Sequence, residues 1–191
     1  HAISHILKES SLPQQVIETS LQVFMCLAKA EASVHGTDVE QVHFHELGAV
    51  DSLVDIVGFC CAVRRLEIEA LFCSPLPTGG GRIRTEHGWL PVPAPATLAI
   101  LASANAPIVP SEAHGELVTP TGAALLSTLA SFSQPPMRVQ RVGYGFGTKE
   151  FPWPNVLRVW IGEALPEKTI NPIAHSHTHE TGHDHEHGHS H

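Results

Sequence analysis

The chain has 191 residues, enough for one ordinary domain with its own core once a tail is set aside. Apolar residues make up 42% and charged residues 16%, a balance that suits a folded body and argues against a disordered chain. The formal charge of −8 argues against nucleic acid, because phosphate backbones are held by clustered Lys and Arg, and an acidic chain attracts cations instead.

Taken in chain order, residues 13–33 place Val16, Ile17, Leu21, Phe24, Met25 and Ala28 at helical spacing, with Pro13 suited to a first turn and Gly36 beyond the end. Residues 41–45 alternate as a strand does, so Val42 and Phe44 share one face and His43 and His45 the other. After a turn at Glu46, Leu47 and Gly48, residues 51–66 read as a second helix in which Asp51 and Asp55 lie one turn apart on an acidic face. Within it, residues 53–63 form the longest nearly apolar run, broken by Asp55 and well short of the roughly 20 residues that span a bilayer. Residues 1–11 lack the charged-then-apolar layout of a secretory signal, and the expected address is the cytoplasm. Cys26, Cys60, Cys61 and Cys73 show no Cys-x-x-Cys spacing and read as reduced core thiols.

Residues 70–73 suggest a short strand, and residues 74–82 a loop too rich in Pro and Gly for regular structure. A second irregular stretch, 87–95, feeds a helix over 96–104. Thr119, followed by Pro120, caps a helix that runs through the apolar residues 123–130. Residues 137–144 and 156–161 alternate as strands. Helices and short strands without a repeating βα rhythm predict an α+β body over residues 1–163. Residues 164–191 follow as a flexible linker and a disordered, His-rich tail.

Three constellations carry chemistry. The tail holds His175, His177, His179, His183, His185, His187, His189 and His191 among Glu180, Asp184 and Glu186. Neutral imidazoles at alternating positions on a flexible chain wrap Ni, Cu or Zn, and the mixed composition differs from the unbroken histidine run of a purification tag. The second constellation is His43, His45 and Glu46 with Asp51 and Asp55, where two rings on one strand face and carboxylates on the next helix can converge on one ion. The plainer alternative leaves the rings in solvent and makes Asp51 a carboxylate that favours its helix N-terminus. The third is a set of anion-suited loops: Gly79, Gly80 and Gly81 with Arg82 and Arg84, the helix start Thr119–Thr121–Gly122, and residues 143–149 with Lys149. None is a Walker loop or a dinucleotide fingerprint, and each alone can be a tight turn.

The run Val42-His43-Phe44-His45-Glu46-Leu47-Gly48-Ala49-Val50-Asp51-Ser52-Leu53-Val54-Asp55-Ile56-Val57-Gly58 closely resembles the signature of the LarC family of nickel-insertion proteins. So do, in the family's order, Pro77-Thr78-Gly79-Gly80-Gly81, His87-Gly88 with residues 91–97, residues 117–124, and residues 143–147 with 155–158. The similarity covers the central portion of that family, over roughly residues 1–163 here. It implies a CTP-dependent nickel chelatase, a lyase-type enzyme that installs nickel in pyridinium-3,5-bisthiocarboxylic acid mononucleotide to give a nickel-pincer cofactor, the metal ending on two thiocarboxylate sulfurs and a ring carbon. On that resemblance His43, His45 and Glu46 are the catalytic residues, holding the incoming ion with Asp51 or Asp55. Gly79, Gly80, Gly81, Arg82, His87, Thr119, Thr121 and Gly122 hold the nucleotide, and the tail gathers nickel. The family's opening segment and its C-terminal region, which carries CTP with a divalent cation, have no match here, so a missing region or second subunit is the expected partner. Homo-oligomerisation is left open. The rival reading is a non-catalytic nickel chaperone or store in which the tail does everything. A His-x-His amidohydrolase barrel needs about 250 residues and does not fit.

Overall fold

A computed structural model describes residues 2–42, 49–85 and 88–166. A short helix α1 (Ala2–Glu9) precedes the long helix α2 (Gln14–His35), in which Val16, Ile17, Phe24 and Ala28 of the expected stripe are buried and Leu21 is half-buried, whereas Met25 is exposed and Val23 and Leu27, outside that stripe, complete the buried face. Pro13 stands just ahead of α2 in an extended conformation, where its missing N–H costs nothing. Gly36 ends the helix in the left-handed region at φ 63°, and the Thr37 amide returns to the Ala32 carbonyl at 3.0 Å, satisfying a helix-end acceptor.

Three more helices gather on α2: α3 (Ala49–Arg65), α4 (Pro95–Ser103) and α5 (Pro120–Leu129). Ile56 of α3, Ile100 and Leu101 of α4, and Ala123 and Ala124 of α5 complete the core with Leu7 of α1. Ala123 and Ala124 are fully buried, and their small side chains let the α5 backbone approach its neighbours closely. Cys60 lies in this core, with burial pushing its thiol up and the Ser20 hydroxyl partly offsetting the shift. The four cysteines are free, as the spacing predicts.

Among the described residues the strands form five two-stranded pieces. Parallel pairs join β1 (Leu71–Phe72) to β8 (Ala130–Ser131) and β2 (Leu76–Pro77) to β6 (Ile108–Val109). Antiparallel pairs join β3 (Gly79–Gly80) to β7 (Gly115–Glu116), β4 (Arg82–Thr85) to β5 (Gly88–Pro91), and β9 (Met137–Phe146) to β10 (Val156–Ala164). A helical cluster with strands segregated from it is the expected α+β class.

Two expectations need correction. Residues 74–82 and 87–95 are not irregular throughout, since they contribute β2, β3, the start of β4, and β5. These strands are only two to four residues long, and their Pro and Gly are tolerated because each has a single partner. Gln41, expected to open a strand, instead closes a 3₁₀ turn (Val39–Gln41), and the Val42 amide donates to the Val39 carbonyl at 3.3 Å. The remainder of that expected strand, residues 43–45, lies outside the described residues, as does the His-rich tail.

Candidate functional site

The helix start at α5 is built as its sequence implies. Thr119 is extended at ψ 161°, and its Oγ1 accepts from the Gly122 amide at 3.1 Å, while Pro120 occupies the first helical position. Thr119→Ala removes this acceptor and is expected to cost roughly 1 kcal/mol of stability, read as a shifted urea midpoint, with Thr119→Ser retaining most of it.

At the start of α3, Asp51 stands exposed in the first turn, Asp55 is exposed one turn later, and Ser52 between them is buried. Ser52 Oγ lies 3.4 Å from Thr121 Oγ1, which puts the first turns of α3 and α5 side by side. Both helices carry a partial positive charge at that end and leave first-turn amides without an intrahelical partner, a combination suited to an anion. The bare positive ends oppose a cation, and the Asp51 and Asp55 carboxylates counter them.

His43, His45 and Glu46 precede α3 in sequence and lie outside the described residues, as do His87 and the eight tail histidines. Among the described residues no three His, Cys, Asp or Glu side chains are grouped so as to hold a metal ion. Asp51 and Asp55 are thus two carboxylates that would need further ligands from elsewhere.

The glycine segment is joined to the same region through β7. Gly79 pairs with Glu116 and adopts φ 76°, and a Cβ at Gly79 would collide with the Gly115 carbonyl oxygen. Glycine is therefore required there by both backbone angle and space. The Gly80 amide donates to the Ala113 carbonyl at 2.9 Å, while Gly81, at φ 86°, and Arg82 are exposed. Three residues after Glu116 the chain reaches Thr119, so the glycine segment and the α5 start flank one short connection.

Sequence reasoning singles out Lys149 here but misses Glu116. Glu116 Oε1 is buried with no hydrogen-bond partner among the described residues, and burial pushes the carboxyl pKa up, with the Lys149 charge pulling the other way. Lys149, from the loop between β9 and β10, brings its Nζ over Gly115, where a Cβ would sit 3.2 Å from it. Lys149 is visible in the sequence as the cation ending a glycine-rich stretch, whereas Glu116 is one carboxylate among many and carries no spacing signal.

The family described as nickel insertion protein matches residues 1–187. A putative nickel insertion protein of Roseiflexus castenholzii is 55% identical over 166 residues, which are 87% of this chain and 42% of that protein. One of Thermomicrobium roseum is 57% identical over 163 residues, 85% of this chain and 40% of its own length. The pyridinium-3,5-bisthiocarboxylic acid mononucleotide nickel insertion protein of Desulfitobacterium hafniense is 51% identical over 167 residues, 86% of this chain and 41% of that protein. The chain thus spans about two-fifths of the length of these relatives. No solved structure matches it. With the family matched from the first residue through nearly the whole sequence, this chain belongs to the nickel insertion protein family.

Proposed function

We propose that this chain takes part in inserting nickel into pyridinium-3,5-bisthiocarboxylic acid mononucleotide, the substrate named for the Desulfitobacterium hafniense relative. The observation that carries the reading is the 3.4 Å approach of Ser52 to Thr121, which joins the helix start beside the carboxylates to the helix start suited to phosphate. Nickel is cargo here, and it must be held long enough to meet the precursor yet released to it. His43, His45 and Glu46, aided by Asp51 or Asp55, supply imidazole and carboxylate ligands of the kind nickel accepts and exchanges. The mononucleotide phosphate is held by the Thr119, Thr121 and Gly122 helix start, with Gly79, Gly80, Gly81, Arg82 and His87 on the adjoining segment. Arg82 supplies the guanidinium for a charge-assisted hydrogen bond to phosphate.

In this reading residues 1–163 form the working body and residues 164–191 a linker and metal-gathering tail. The complete family protein is a lyase-type chelatase that uses CTP with a divalent cation on a further region, and it works in the cytoplasm. Among the described residues no helix is long and apolar enough to cross a membrane.

The test separates body from tail. A chain ending at residue 174, offered nickel, zinc and manganese together at low micromolar concentration, is expected to retain nickel by elemental analysis. Complete loss of nickel on removing residues 175–191 would assign metal binding to the tail alone and overturn the site in the body.

A further inference from the structure

The ribbon of β9 and β10 is out of keeping with the rest of the fold. Its register sets Phe146 opposite Val156, Tyr144 opposite Arg158 and Val142 opposite Trp160 on one face, and Val159 opposite Gly143 and Leu157 opposite Gly145 on the other. Antiparallel sheets that meet water on one side alternate apolar with polar residues, yet this ribbon carries large apolar side chains on both faces, with Arg158 among them on the first and Arg141 on the second. Those side chains are also bare: Phe146 is 79% exposed, Leu157 68% and Tyr144 61%, with Val139, Val142 and Val159 near half. Among the described residues, neither strand makes more than marginal contact with another element beyond their mutual pairing, and neither outer edge has a partner strand.

A two-stranded ribbon is marginal in water, and exposed edges with apolar faces invite pairing. Polar contacts are few along it: Arg138 and Gln140 reach Glu163 at 3.0 and 3.1 Å, and Arg158 sits 5.0 Å from the Trp160 ring centre. The length of the relatives supplies an occupant, since about three-fifths of each lies outside the match.

We propose that the β9–β10 ribbon is the docking surface for that remaining part of the family polypeptide, which adds a strand to the ribbon's edge and covers both apolar faces. A second copy of this chain fits less well. A two-fold contact would cover one face or one edge of each ribbon and leave the other bare. The unmatched regions of a relative together exceed this chain's own length and are long enough to cover both. This deepens the partner in the proposed function and rests on membership in the family, without depending on where nickel is held.

Hydrogen exchange followed by mass spectrometry tests it on two proteins as they exist, the 191-residue chain and the full-length Desulfitobacterium hafniense relative. In the relative, the segment matching residues 137–164 is expected to exchange at least ~100-fold more slowly than in the 191-residue chain, because covering the ribbon converts local opening into subglobal opening. Lysines at the relative's positions matching Val142 and Leu157, one on each face, should restore fast exchange there while the helical segments keep their protection. Equal exchange in the two proteins would overturn the proposal. So would slow exchange in the 191-residue chain, since concentration dependence would identify a second copy as the occupant, and its absence a ribbon stable by itself. Nickel is not read in either arm, so this failure and a failure of the metal site are told apart.

Discussion

Replacing both imidazoles, His43→Ala with His45→Ala, is expected to lower nickel transfer into the mononucleotide precursor by roughly 100-fold or more, since even outer-shell partners of a metal commonly carry 10–100-fold in affinity or activity. The assay supplies CTP and the remaining family region alongside the variant. Both imidazoles assigned to the ion would be gone, and the carboxylates that remain, Glu46 with Asp51 or Asp55, are hard oxygen donors less suited to nickel than imidazole. Both variants and parent should carry the tail deletion, so that the tail histidines cannot resupply the ion. An intact circular dichroism spectrum with unchanged transfer would discard the delivery role of these residues.

The largest effect on stability is expected at Leu27. Its side chain is fully buried on α2, the helix against which α3, α4 and α5 all pack, so Leu27→Ala leaves a cavity shared by several elements. A loss of about 2–5 kcal/mol follows from transfer and cavity contributions together. That is a large share of the roughly 5–15 kcal/mol typical of a domain, and at about 2–4 °C per kcal/mol it lowers Tm by roughly 4–20 °C. Urea and thermal unfolding of the variant check it. A shift under 1 kcal/mol would mean that neighbouring helices close the gap without cost.

The helices were legible because their apolar spacing reports which side faces the core. The residues 13–33 stripe and the Gly36 stop both appear in α2, and the Thr119–Pro120 start appears in α5 with its hydrogen bond. The second helix begins at Ala49, ahead of Asp51, because a carboxylate is favoured throughout the first turn and so marks the region of a start better than its first residue. The dipeptide strands were not legible. Gly79 and Gly80 pair as a strand because β7 lies beside them, and that neighbour comes from more than 30 residues away. β5 escaped for a related reason, since Pro91 ends it and resembles a breaker until β4 is seen as its single partner. For the site, local spacing placed Asp51 and Asp55 on one exposed face, but the approach of Ser52 to Thr121 joins residues 69 apart in the chain. No periodicity encodes such a contact, and the same holds for Lys149 over Gly115.

The side-by-side starts of α3 and α5 bear on the order of loading. In the proposed function, a phosphate held between these two helix starts adds negative charge beside Asp51 and Asp55, so the mononucleotide strengthens the hold on nickel. By linkage, nickel strengthens the hold on the mononucleotide by the same factor. The body then binds nickel alone and grips it more tightly once the acceptor molecule is in place.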